Sequence, residues 1–345
     1  MVILSDIISM TVLFAVPLLL VALGGMFSER SGIINIALEG IMIIGALAGC
    51  LFMRAISNAP FAVEAPQFAM LLTILVSALC GALFSLLLAF ASINLRADQT
   101  IGGTALNMLA PAFAVVLTWA IQGQGQTTIL IPTWARISLQ NFSDGFVGSI
   151  FGADAGTRFF EALDGTFVGN LFFKSFYLTT PIAFVLLIAA IIVMYRTKLG
   201  LRLRSCGEHP QAADSVGINV YKMRYTGVFI SGLLGGIGGI AYTLAAGAGF
   251  QSTVAGYGFL ALAVMIFGNW KPLNILGASF FFALFKVIGS YSSSIPFLPS
   301  FENVAASDYI YQMLPYIVTM IILVLTSKKS RAPKAEGIPY DKGAR

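Results

Sequence analysis

Charged residues are scarce in this sequence: 10% of its 345 residues are Asp, Glu, Lys or Arg, whereas about a quarter is usual in a globular protein. Apolar residues make up 58% of the chain. A soluble fold could not cover its surface with so few ions, and a disordered chain would not contain so many apolar side chains. We therefore expect most of this chain to lie in a lipid bilayer.

Residues that commonly build catalytic centres and metal sites are also few. Three cysteines without a CxxC spacing exclude a disulfide scaffold, and a single histidine, His209, argues against a metal site. The chain has no GxxxxGK[ST] phosphate loop, no HExxH and no GxSxG motif. We therefore expect no catalytic residue, no cofactor bound by this chain and no Walker-type hydrolysis of nucleotides. No nucleic-acid partner is expected either.

Long uncharged apolar stretches predict the membrane spans. We predict an all-α, polytopic membrane protein with about nine transmembrane helices, within a range of about eight to ten. The predicted spans are residues 9–26, 33–53, 66–90, 101–121, 175–195, 225–246, 253–270, 274–290 and 309–326. The division at 247–256 depends on a glycine-rich turn sequence, and a re-entrant segment is the alternative there.

The distribution of basic residues predicts the orientation. If the C-terminus is cytoplasmic, fifteen of the 20 Lys and Arg residues lie inside, four lie outside and Lys286 lies within a span. By the positive-inside rule, we expect an external N-terminus and a cytoplasmic C-terminus in the cell (inner or plasma) membrane. The predicted parts are a transmembrane domain (1–326) with an extracytoplasmic loop (122–174) and a cytoplasmic segment (196–224), and a flexible cytoplasmic tail (327–345).

The cytoplasmic segment contains a short predicted helix. Pro210 suits the first helical position, His209 or Glu208 can cap the helix, and Gly217 can take the left-handed conformation that ends it. A helix of two turns is marginal by itself, so a docking partner or the flanking membrane ends must hold it. The alternative is an ordinary basic loop.

Few polar side chains lie within the predicted spans. Asn35 and Glu39 share one helical face of the second span, and Thr104 and Asn107 share a face of the fourth. We predict that Asn35, Glu39, Thr104 and Asn107 line a substrate path. A second interpretation stays open for Asn35, Glu39 and Asn107, namely that they have a structural role, such as joining helices by hydrogen bonds. With only Glu39 and Lys286 ionisable in the spans, a self-powered carrier has few coupling groups.

Small residues recur every four positions in the sixth predicted span. Ser231, Gly235 and Gly239 form the kind of ridge that lets helix backbones approach closely in lipid. This pattern predicts a helix-packing face. Its partner is either a neighbouring span of this chain or another membrane subunit.

Two segments resemble ABC transporter permeases of the branched-chain amino acid and ribose type. One reads Gly-Glu-His-Pro-Gln-Ala-Ala-Asp-Ser-Val-Gly-Ile-Asn-Val over 207–220 and is followed by the glycine-rich stretch 229–239. The other reads Glu-Arg-Ser-Gly-Ile-Ile-Asn-Ile-Ala-Leu-Glu-Gly over 29–40. The second pattern looks closest to the nucleoside and simple-sugar uptake branch of that family.

The resemblance implies a permease subunit of an ATP-driven importer. A nucleoside is the first expected solute, and another simple sugar or a branched-chain amino acid is the alternative. The implied partners are a cytoplasmic ABC ATPase that uses ATP and Mg, a second permease subunit, often a paralogue, and an extracytoplasmic substrate-binding protein. The ATPase-coupling residues that the resemblance carries over are Gly207, Glu208, His209, Pro210, Ala212, Ala213 and Gly217. A stand-alone channel or secondary carrier is the alternative from another class.

Overall fold

A computed structural model describes residues 2–135, 177–290 and 332–342, together with single positions between 313 and 324. In this part of the chain the secondary structure is helical, apart from one isolated antiparallel bridge between Ile129 and Phe250. The helices are α1 (Val2–Arg30), α2 (Leu38–Ala55), α3 (Pro60–Glu64), α4 (Pro66–Ala89), α5 (Gln99–Gln122), α6 (Thr179–Arg196), α7 (Lys198–Glu208), α8 (Pro210–Ser215), α9 (Val220–Ala246), α10 (Tyr257–Phe267) and α11 (Pro272–Ser290).

Seven helices in the described residues are long and apolar enough to cross a membrane: α1, α2, α4, α5, α6, α9 and α11. They coincide with the first six predicted spans and the eighth, so the all-α, polytopic class is confirmed. A π-helical turn over Phe90–Asn94 extends α4. The ninth predicted span and most of the external loop lie outside the described residues. The total of nine spans and the orientation of the termini stay predictions.

The seventh predicted span, 253–270, is wrong in its length. The helix found there, α10, has 11 residues, so at 1.5 Å per residue it covers about half of a hydrocarbon core roughly 30 Å thick. Residues 247–256 are not helical, and Gly247, Gly249 and Gly256 take left-handed backbone angles there. A half-length helix preceded by an irregular segment favours the re-entrant alternative.

The centre of the bundle is α9, which packs against α1, α2 and α4. A Cβ atom placed on Gly239 would lie 2.0 Å from the Met42 carbonyl of α2, and one on Gly235 would lie 2.7 Å from the Ile41 side chain. The Ser231 carbonyl is 2.9 Å from the Cβ position of Gly24 in α1. The predicted packing face therefore contacts neighbouring helices of the same chain.

Helices α5 and α6 lie at the periphery. Large apolar side chains on them are exposed, including Met108 (77% exposed), Val116 (65%) and Val185 (64%). An apolar surface of this kind suits lipid or another membrane subunit.

Residues 332–342 pack against the bundle. Ala335 and Tyr340 are buried, and the Ala335 N–H donates to the Gly207 carbonyl at 2.8 Å. This differs from the flexible tail that the sequence predicts. Proline, glycine and charge indicate a flexible end, but they carry no information about a backbone partner that lies far away along the chain.

Close helix contact should make Gly236 intolerant of a methyl group. Its Cβ would lie 2.1 Å from the Ser77 carbonyl of α4, whereas a Cβ on the exposed Gly277 of α11 meets nothing within 4 Å. We expect Gly236→Ala to lower stability by about 1–3 kcal/mol through overpacking. Gly277→Ala should be neutral or slightly stabilising, because alanine favours the helix. Thermal unfolding of the two purified variants measures the difference, and equal melting temperatures would contradict this packing.

Candidate functional site

The chain between α1 and α2 leaves the helical conformation inside the bundle, and α5 supplies its hydrogen-bond partners. Buried backbone N–H and carbonyl groups need hydrogen-bond partners within the protein. Asn107 donates to the Ile36 carbonyl and accepts from the Gly40 N–H, each at 2.8 Å. The Gln99 side chain accepts from the Ile34 N–H at 2.8 Å. Asn107 therefore fixes the start of α2.

Glu39 lies at the N-terminus of the half-length helix α10. Its carboxylate accepts the N–H groups of Gly256 at 2.9 Å and Gly258 at 2.6 Å. A helix N-terminus carries unpaired N–H groups and partial positive charge, so a carboxylate is stabilised there. Glu39 thus supplies the acceptor for N–H groups at the point where the irregular segment ends and α10 begins.

Asn35 and Thr104 are placed differently from each other. Asn35 precedes α2 and is not helical, so the predicted helical face shared with Glu39 is wrong. Asn35 is fully buried and donates to the Ser231 hydroxyl of α9 at 2.8 Å. Thr104 is exposed on α5, and its hydroxyl bonds back to the Thr100 and Ile101 carbonyls. Asn35, Glu39 and Asn107 therefore make the helix-joining bonds of the second interpretation. A substrate path past these residues stays a prediction.

An aromatic cluster that sequence reasoning missed surrounds the start of α10. The rings of Tyr242 and Tyr257 have centroids 4.4 Å apart, and Phe14 lies 6.3 Å from Tyr257. The Tyr257 hydroxyl is buried without a hydrogen-bond partner among the described residues. No local pattern predicts this cluster, because its members come from three separate helices.

The short helix predicted to begin at Pro210 is confirmed. Pro210 is the first residue of α8, and Gly217 follows the helix with φ of 82°. His209 occupies the cap position, but its side chain makes no capping hydrogen bond, so that detail of the prediction is wrong. A side-chain cap appears at the next helix instead, where Asn219 accepts the Lys222 N–H at 2.9 Å.

Four of the seven predicted coupling residues face this chain. Gly207, Pro210 and Ala213 are buried, and a Cβ on Gly207 would lie 2.4 Å from the Arg30 carbonyl of α1. Glu208 is partly exposed and lies 3.9 Å from the Arg30 guanidinium. Gly207 and Glu208, at the end of α7, therefore lie against the end of α1. A docking role for these four residues stays a prediction.

The other predicted coupling residues are exposed. His209, Ala212 and Gly217 reach the surface, together with Gln211 and Val216, which sequence reasoning missed. Val216 is 74% exposed. We call His209, Gln211, Ala212 and Val216 the α8 face. On this face the apolar Val216 side chain lies near the polar side chains of His209 and Gln211. All of them are exposed, so another protein can contact them.

Open cavities lie at both ends of the bundle. At the end that contains Arg54, a cavity of about 390 Å³ is lined by Arg54, Ser57, Gln122, Gln126, Thr128, Leu130, Ile131 and Pro132. Beside α8, a cavity of about 440 Å³ is lined by Asp214, Gly217, Ile218, Asn219, Val220, Tyr221 and Lys342. Both volumes are within the usual range for small-molecule sites. The described residues contain no group of three or more His, Cys, Asp or Glu side chains that could hold a metal ion.

The chain is a multi-pass membrane protein whose spans present one short helix at the end of the bundle. It belongs to the family described as the branched-chain amino acid transport system, permease component, whose model matches residues 7–325.

Similar proteins cover nearly the whole chain. It is 41% identical to the guanosine ABC transporter permease protein NupQ of Bacillus subtilis, over 99% of this chain and 98% of that protein. It is 40% identical to the nucleoside ABC transporter permease protein NupC of Lactococcus lactis, over 98% of each chain. A second nucleoside permease protein of the same Lactococcus strain, NupB, is 26% identical over 95% of this chain and 83% of its own length. No solved structure matches the chain significantly.

Removing the Glu39 carboxylate should destabilise the bundle. Glu39→Ala leaves two N–H groups at the start of α10 without their acceptor, and each buried unpaired donor costs about 1–3 kcal/mol. We expect a loss of about 2 kcal/mol or more. Glu64→Ala is the matched control, since Glu64 is exposed at the end of α3. Thermal unfolding in detergent measures both, and an equal effect of the two substitutions would contradict the capping role.

Proposed function

We propose that this chain is one membrane subunit of an ABC importer that carries nucleosides. Two relatives about 40% identical over nearly the whole chain are named as guanosine and nucleoside ABC transporter permeases. Identity of this extent supports a shared solute class more strongly than the broader family does, because that family is described by branched-chain amino acid transport.

The α8 face is the observation that carries the coupling role. The sequence has no phosphate loop, so in this proposal a cytoplasmic ABC ATPase binds ATP and Mg and supplies the energy. A short helix that is buried on one side and exposed on the other suits recognition by a groove in a partner. Val216 is the apolar anchor, and His209 and Gln211 supply polar contacts. This assignment requires the α8 end of the bundle to be cytoplasmic, as the basic residues predict.

Two further partners complete the proposed importer. One Lactococcus strain has two proteins named as nucleoside ABC transporter permeases, which supports a paralogue as the second membrane subunit. The exposed apolar sides of α5 and α6 are available for it. An extracytoplasmic binding protein would deliver the solute at the opposite end, where the cavity beside Arg54 and Gln122 opens.

The solute class is tested by ATP hydrolysis in the reconstituted complex with its binding protein. We expect guanosine and other nucleosides to raise the rate of hydrolysis, whereas glucose and leucine leave it unchanged. A complex stimulated only by glucose or leucine would contradict nucleoside import. Uptake of guanosine by liposomes that contain the purified chain alone, without ATP, would instead support the channel or carrier class.

The docking role is tested at Val216. Val216→Glu places a charge in the proposed groove, and we expect the affinity for the ATPase to fall about tenfold or more, as for other interface anchors. Val216→Ile keeps the side chain apolar and should retain binding. Because Val216 is exposed, neither change should alter thermal stability. Equal affinity of both variants for the ATPase would overturn the assignment of the α8 face.

A further inference from the structure

Residues 332–342, which we call the strap, begin against the junction of α7 and α8. The Ala335 N–H donates to the Gly207 carbonyl at 2.8 Å, and the Cβ position of Gly207 is 3.4 Å from Pro333. The same glycine lies against the Arg30 carbonyl of α1. One side of this junction therefore rests on a membrane span, and the other rests on the strap.

The strap also supplies a partner for a buried cation at the start of α9. Arg224 is 1% exposed, and its guanidinium donates to the Ile338 carbonyl at 3.0 Å. The Nε and Nη2 atoms of Arg224 have no hydrogen-bond partner in the described residues. A buried charge without a partner is strongly unfavourable. The backbone of the strap is therefore tied to the first turn of α9.

Other residues of the strap contact α8, the chain just after α4, and α1. Near its end, the Tyr340 hydroxyl lies beside the Asp214 carboxylate of α8, and Asp341 forms a two-fold ion pair with Arg96, just after α4, at 3.1 Å for each bond. In its middle, Glu336 lies beside Glu29 and Arg30 of α1. Burial raises the pKa of Glu336, an effect that the hydrogen bond with Glu29 and the charge of Arg30 oppose.

We infer that the strap couples α8 to the ends of α1, α4 and α9. This inference rests on the proposed function, in which an ATPase moves α8. Helix α8 has six residues, and Gly217 follows it in a left-handed conformation that glycine adopts readily. The strap contacts α8 and three membrane helices at once, so a displacement of α8 is transmitted to the spans together. It is a positioning element and binds no solute.

Truncation of the complete complex tests this role. Ending the chain after Arg331 removes the strap, whereas ending it after Lys342 removes three residues and keeps it. In proteoliposomes with the ATPase, the second permease and the binding protein, we expect guanosine uptake per ATP hydrolysed to fall about tenfold without the strap, a size usual for coupling between sites. The shorter truncation should keep the wild-type ratio. An unchanged ratio in the chain that ends at Arg331 would overturn the inference.

A charge exchange tests the strap without removing it. The side chains of Arg96 and Asp341 are 50% and 44% exposed, so folding does not depend on their ion pair. We expect Arg96→Glu and Asp341→Arg each to lower uptake per ATP about threefold by placing like charges together, and the double variant to restore the ratio. Restoration would not occur if each change acted independently of the pair.

The two proposals fail in different ways. The proposed function fails if the wild-type complex shows no ATP-dependent uptake of any nucleoside. The strap fails if the wild-type complex transports guanosine and all strap variants keep its ratio of uptake to hydrolysis. Pull-down of the ATPase by each variant checks that the complex still assembles, which we expect because no residue of the α8 face is changed in any of them.

Discussion

Buried backbone N–H and carbonyl groups must find hydrogen-bond partners inside the protein, and this requirement applies to two irregular segments of the bundle. Between α1 and α2, the partners are the side chains of Gln99 and Asn107. Before α10, the partner is the Glu39 carboxylate. Glu39, Gln99 and Asn107 therefore hydrogen-bond to irregular backbone in the bundle.

Hydrogen bonds satisfy the irregular segments, and the rest of the bundle is held together by close packing of its helices. Lipid provides no hydrophobic force between helices, so contact between backbones must hold them together. The glycines of α9 allow that contact with α1, α2 and α4. The resulting core is dense around α9, and its outer helices expose apolar side chains.

At the α8 end, the short motif around Pro210 contains both buried and exposed residues. Gly207, Pro210 and Ala213 face the chain itself, and the α8 face points outward. A motif that appears uniform in sequence thus contains residues that hold the helix and residues that can be recognised. The strap belongs to the holding side, since it packs on Gly207 and gives Arg224 a hydrogen-bond acceptor.

Local sequence determined the class of this protein, the positions of seven membrane helices, the short helix that begins at Pro210 and the family resemblance. Apolar runs, proline and glycine act within about 20 residues, so their effect can be read along the chain. The tertiary structure alone decided the half-length of α10, the capping by Glu39 and the packing of the strap. Their partners are distant: Glu39 bonds Gly256 across 217 positions, and Arg224 bonds Ile338 across 114. Hydropathy and spacing carry no information about which distant groups meet, because that depends on how the helices pack.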